Sequence, residues 1–221
     1  MAAIPIFQKI VGATQTKVWA AGGGPEEIAA YTVAWADLTG AGFVAGDDVM
    51  IFVRCFTGQT SISYWRCPKN ALHHGATFGA ATEVPYSLVG LANSTTGTTK
   101  MNQWVQMHRH TLVDGENLYT SWSNQTNGYT QYNGKFCMVV MGLDDLVEGT
   151  DFLFDEEVHA GNAPVNYDAS GAEVTVPGDG DDWFILGHVR WNQDNYGVDS
   201  YSALDVGGST VAEVRRGSLS V

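Results

Sequence analysis

The chain has 221 residues, with 24 acidic against 11 basic side chains and a formal net charge of −13, a balance that argues against wrapping nucleic acid. Hydrophobic residues make up 44%, with seven Trp, nine Tyr and nine Phe, which excludes a mainly disordered chain. Charged residues are only 16%, below the roughly 25% of ordinary soluble domains, so surface polarity comes from Ser, Thr, Asn, Gln and Gly.

The N-terminus, MAAIPIFQKIVGATQ, has no basic segment before a long apolar core and does not read as a signal peptide. Ile4, Ile6 and Phe7 make it a short apolar arm that either docks on a neighbouring subunit or packs on its own domain. Gly22-Gly23-Gly24 runs into Pro25, and no GxxxxGK follows, so a phosphate cradle is not expected. Pro25 to Ala30 carries Glu26 and Glu27 in a plausible first helical turn.

From Asp48 the sequence VMIFVRCF places Val49, Ile51, Val53 and Cys55 on one face and Met50, Phe52, Arg54 and Phe56 on the other, a strand. Thr57-Gly58-Gln59 reads as the turn of a hairpin whose second strand runs to Trp65. Met101 to Val113 is a long strand closed by Asp114-Gly115, and Leu118 to Trp122 opens the next. Asn124 to Asn133 is a polar hairpin tip, Lys135 to Met141 a buried strand, and Asp144 to Glu148 a short turn. No segment keeps a 3.6-residue period for three turns, and none reaches the about 18 apolar residues of a membrane helix. The fold class is all-β, a sandwich or barrel of short strands with very little helix.

GDD before VMIFVRCF returns as GDGDD before WFILGHVRW, each followed by a polar turn and an aromatic strand. Two related sandwich units account for this echo, and so does the ordinary recurrence of strand and Gly/Asp turn. The expected division is an N-terminal arm with a short turn or helix over 1–30 and a first sandwich over 31–148. A linker over 149–172 and a second, incomplete β unit over 173–221, or strands completing the first, make up the rest.

His108 and His110 share a strand face, a spacing that metal sites use, and His73-His74 in a Gly-flanked loop are able to approach them. No Cys or carboxylate spacing completes the set, so surface histidines are the expectation and no metal or cofactor is assigned. Asp179-Gly180-Asp181-Asp182 lacks the spacing of a calcium loop and reads as a turn. Cys55 and Cys137 read as packed strand cysteines; with Cys67 they form no CxxC, consistent with free thiols made in a reducing cytoplasm. No GxSxG or recognisable catalytic set is present, and the expectation is that the protein is not an enzyme.

Trp65, Trp104, Trp122, Trp183 and Trp191 fall in predicted strands, where burial makes them core. Tyr119, Trp122, Tyr129 and Tyr132 surround the polar SNQTNG segment and are the better candidates for an exposed contact surface, an interface or a glycan platform. Asn93 and Asn124 head glycosylation sequons, incidental without a secretion signal.

An acidic, Lys-poor chain with GDDVMIFVRCFTGQTSISYW in one half and GDDWFILGHVRW in the other resembles jelly-roll virion proteins of tailed bacteriophages. These include capsid decoration (cement) proteins and head or tail fibre modules. The resemblance implies an antiparallel jelly-roll sandwich in a homo-oligomeric virion structural protein, made in the host cytoplasm, that binds major capsid or tail proteins. It implies neither nucleic acid nor membrane as a partner. The alternatives are a carbohydrate-binding module recognising a host surface glycan, and a β-sandwich polysaccharide hydrolase using two carboxylates.

Overall fold

The computed structural model describes residues 4–19, 23–60, 69–84, 89–90, 100–124, 129–148, 150–152, 200–206 and 209–216. In chain order the strands are β1 (Ile6–Val11), β2 (Gln15–Trp19), β3 (Gly23–Glu27), β4 (Asp48–Thr60), β5 (Lys69–Gly75) and β6 (Thr82–Glu83). They continue with β7 (Val89–Gly90), β8 (Lys100–Thr111), β9 (Asn117–Asn124), β10 (Tyr129–Gly142), β11 (Ser200–Val206) and β12 (Ser209–Arg216). One short helix, α1 (Trp35–Gly40), and 3-10 turns at Ala29–Tyr31 and Phe78–Ala80 are the helical pieces among the described residues. None is long and apolar enough to cross a membrane.

The first sheet has the order β1-β10-β4-β8, with β2 also pairing β10; the second has the order β3-β9-β5-β6, with β7 also pairing β5. β1 and β2 lie end to end on one edge of β10, and β6 and β7 end to end on one edge of β5. Counting each such pair as one strand leaves eight, ordered first-eighth-third-sixth in one sheet and second-seventh-fourth-fifth in the other. Every ladder is antiparallel. That winding is the jelly roll, and the expected antiparallel sandwich is the observed fold.

Period-2 alternation builds the core. Val49, Ile51, Val53 and Cys55 of β4 and Phe136, Met138 and Val140 of β10 point inward and are buried. They meet Leu72, Leu118 and Trp122 of the second sheet, and Tyr31 stacks on Phe136 with ring centroids 4.1 Å apart and planes at 6°. Each such apolar side chain contributes about 1.5–3 kcal/mol by leaving water. β10 carries an irregularity between Gly134 and Cys137, where Lys135 has a positive φ of 51°. There a Cβ on Gly134 would sit 3.3 Å from Thr14 Oγ1, so glycine admits the crossing between β1 and β2.

Several local expectations yield to sheet closure. Thr57-Gly58-Gln59 is not a turn: β4 runs on to Thr60, with Gly58 between Met101 of β8 and Tyr132 of β10. Two flanking ladders outweigh a turn-forming tripeptide. Pro25 to Glu27 is strand rather than helix, because the edge of β9 is open to Glu26 and Glu27; Pro25 falls in the register shift between Gly23 and Glu26. A proline without an N–H is tolerated at such an edge.

Residues 6–11 are not a free arm. β1 pairs with β10 from Ile6↔Met141 to Val11↔Phe136, so the first sandwich begins well before residue 31. The polar tip expected over 124–133 is also shorter, since β10 begins at Tyr129 and Gln131 and Asn133 are buried. Of the expected second unit, the described part is the β11–β12 hairpin, with Ser200↔Arg216 at one end and Val206↔Ser209 at the other.

Candidate functional site

Three elements converge where β4 begins and β8 ends. His110 is the register partner of Val49, whose side chain is buried in the core, so the imidazole lies on the inward face of β8. His74 pairs with Leu118, which is likewise buried, and so lies on the inward face of β5 in the opposite sheet. Glu116 comes from the loop joining β8 to β9, where Asp114-Gly115, with Gly115 at φ +73°, turns the chain back.

The Glu116 carboxylate sits between the two rings. His110 Nε2 lies 2.7 Å from Oε1 and His74 Nδ1 lies 3.0 Å from Oε2, while the Val113 N–H donates to Oε1 at 2.8 Å. The ring centroids are 4.5 Å apart. Side-chain exposure is 26% for His74, 14% for His110 and 4% for Glu116. Burial alone would raise the Glu116 pKa. The hydrogen bonds from His110 and Val113, then the His110 charge and the His74 contact, outweigh it, and the carboxyl titrates below its ordinary value.

The other two histidines of the expected quartet are not part of the cluster. His73 is one residue from His74 and so lies on the opposite face of β5, where Nε2 meets Ser121 Oγ at 2.8 Å and the ring edge packs on Phe78. Burial, then the neighbouring His74, holds its pKa below the usual histidine value. His108 lies one pair deeper than His110, with Nε2 3.1 Å from Gln106 Oε1. Thus His74 and His110 meet, and the carboxylate the sequence reading lacked is Glu116. The usable signal was a glutamate placed directly after the Asp-Gly turn.

The opposite end of the interior is polar without being closed. Thr57 Oγ1 donates to Asn70 Oδ1 at 3.0 Å, Asn70 Nδ2 to Ser121 O at 3.1 Å, and Gln131 Nε2 to Asn133 Oδ1 at 3.2 Å. Yet the indole N–H groups of Trp19, Trp104 and Trp122, together with Gln131 Oε1 and Asn133 Nδ2, are buried with no hydrogen-bond partner among the described residues.

The outer face of the first sheet is largely apolar. Register places Ile6, Met141, Met50 and Arg109 in one row, Gln8, Val139, Phe52 and Met107 in the next, and Ile10, Cys137, Arg54 and Val105 in a third. Ile6 is 59%, Ile10 67%, Val18 69% and Val105 40% exposed. Arg54 and Lys135 each lie 5.6 Å from the centre of the Phe56 ring on this face. At the sheet edge Lys9 turns inward and donates to Thr32 O.

No protein-family model matches the chain, and no curated protein does. Among solved structures, the chain is similar to one from infectious bursal disease virus strain Gx, at 9% identity and a TM-score of 0.43, over 68% of this chain and 33% of that one. The VP2 subviral particle of the same virus is matched at 8% identity and a TM-score of 0.38, over 63% and 33%. The Eiger TNF of S. frugiperda is matched at 12% identity and a TM-score of 0.40, over 68% and 99%. The chain thus spans about a third of the viral chains it is similar to.

The aromatic contact cluster is dispersed. Tyr119 is buried, its hydroxyl donating to Ala76 O at 3.1 Å, and Trp122 is a core residue. Inward register places Trp122, and Ala76 and Phe78 cover Tyr119 on the other face of β9. Tyr132 is half-buried, and Tyr129 opens β10. Of the apolar N-terminal residues, Ile4 and Ile6 are exposed and Phe7 packs against the core. Cys55 is buried and Cys137 half-buried, both as free thiols. Trp65, Cys67, Asn93, Trp183, Trp191 and the loop 179–182 lie outside the described residues.

Proposed function

We propose that this jelly roll is a virion structural subunit, of the capsid-decoration or fibre kind in a tailed phage, whose work is assembly and not turnover. The observation that carries the reading is the apolar outer face of the first sheet. A sandwich needs only its inner faces to fold, and exposed Ile6, Ile10, Val18 and Val105 beside half-buried Phe52, Met107 and Val139 serve a contact with another protein.

The occupant that fits is a second copy of the chain. The chain carries a net charge of −13, while this face presents Arg54 and Lys135, so the acidic remainder of a neighbour complements it. Lys9, turned inward at the edge, disfavours edge-to-edge strand addition and leaves the face as the contact. Major capsid or tail proteins are the further partners in this reading, and the virion is its location.

Sedimentation velocity on the Ile10→Asp, Val18→Asp double variant tests it. The wild type is expected to self-associate and bind particles, and the variant to do neither while keeping its β circular-dichroism spectrum. Unchanged association would overturn the face as the contact. Glycan-array binding lost on Tyr132→Ala would favour host-glycan recognition instead, and turnover of a polysaccharide would remove the non-enzymatic part of the reading.

A further inference from the structure

We propose that His74, His110 and Glu116 form a binding site for a divalent transition metal, with Zn²⁺ the best fit, that staples the two sheets together. The potential ligand atoms of these three side chains all lie within 4.8 Å of one another. Ligands at the about 2.0–2.1 Å typical of zinc bonds to nitrogen and oxygen are separated by about 3.3 Å around a tetrahedron. The two approaches to Glu116, 2.7 and 3.0 Å, need to open by a few tenths of an ångström, and the widest ligand separation, up to 4.8 Å, needs to close by about 1.5 Å, a change that side-chain rotation supplies.

The donor set selects the metal class. Two imidazoles and one carboxylate suit zinc and its first-row neighbours, whereas calcium and magnesium require oxygen cages. Glu116 is oriented before any ion arrives, because the Val113 N–H holds Oε1. Each neutral imidazole accommodates the ion by moving its proton to the other ring nitrogen. His74 is the most exposed of the three, so a water completes the fourth position from the solvent side.

The three ligands come from β5 in the second sheet, β8 in the first, and the loop that crosses between them. An ion there joins the layers at the point where β8 leaves one sheet for the other. Its stabilisation acts on the native state alone and grows with free metal concentration.

The test uses the full chain, stripped with a chelator and titrated with Zn²⁺ by calorimetry. One equivalent is expected to bind, with a melting temperature that rises with added Zn²⁺. His74→Ala and His110→Ala should each weaken binding by at least the about ten- to hundredfold that outer-shell changes cost. His73→Gln, facing away from the cluster, should leave binding unchanged. Because His159, His188 and Cys67 also lie in the chain, X-ray absorption of the zinc-loaded wild type provides an arm that needs no variant. Two imidazoles with oxygen donors are expected. Sulfur in the shell, binding that survives both alanine variants, or no stoichiometric binding would overturn the site.

Discussion

The two ends of the sandwich interior solve the same problem differently. At the β8–β9 crossover, the buried Glu116 carboxylate has a partner on each oxygen, supplied by His74, His110 and the Val113 N–H. At the opposite end, Asn70, Gln131 and Asn133 bond to one another while three indole N–H groups, Gln131 Oε1 and Asn133 Nδ2 have no hydrogen-bond partner among the described residues. The first end is a latch that closes on itself. The second has the polarity of a site completed by ordered water or another polar group, since buried donors without partners cost about 1–3 kcal/mol each.

Breaking the latch gives the largest expected effect. Glu116→Ala strands two imidazoles and one backbone N–H, and should destabilise the metal-free protein by about 3 kcal/mol in urea unfolding. The milder Glu116→Gln should chiefly change acid sensitivity. The folded pKa of Glu116 is depressed, so its contribution is complete above the ordinary glutamate value of about 4.3 and is lost as pH falls through the lower folded value. Unfolding midpoints followed downward from pH 5 should fall more steeply in wild type than in Glu116→Gln.

The polar end should respond less. Replacing Asn133 by Leu removes an amide N–H without a partner among the described residues together with the acceptor of Gln131 Nε2, which keeps Asn70 Oδ1 at 3.5 Å, and the cost should stay within about 2 kcal/mol if no water is held there. A larger loss would mean that Asn133 anchors bound solvent, which sharpens the contrast. The smallest effect is kinetic. Burial raises the Cys55 thiol to about 11, so Cys137 on the outer face should react before Cys55 with a disulfide reagent at pH 8, and a blocked face should slow it.

Much of the architecture was legible along the chain. The alternation of VMIFVRCF and the strands ending at Asp114-Gly115 and beginning at Leu118 correspond to β4, β8 and β9. Where reading failed, a neighbour decided. Thr57-Gly58-Gln59 has turn chemistry but is clasped by β8 and β10, and Pro25-Glu26-Glu27 has helix-start chemistry but completes an open edge. The short α1 was missed because six residues hold no measurable period; its start is stabilised by the Ala34 N–H donating to Asp37 Oδ2 at 3.1 Å.

The histidine site shows the same division more sharply. Sequence spacing identified four histidines by type, and period-2 geometry separated His73 from His74 once β5 was known to be a strand.

The sequence by itself determined the all-β class, the division of β4 into two faces, the burial of the strand over 135–141 and the net acidity, because hydrophobic patterning and charge are local properties. Only the tertiary structure decided that His74, His110 and Glu116 share a point, that Trp122 is in the core and Tyr119 is buried beneath a loop, and that residues 6–11 close a sheet. Those facts depend on which strands become neighbours across the jelly roll, and that pairing is settled by the joint burial of both sheets rather than by any single segment.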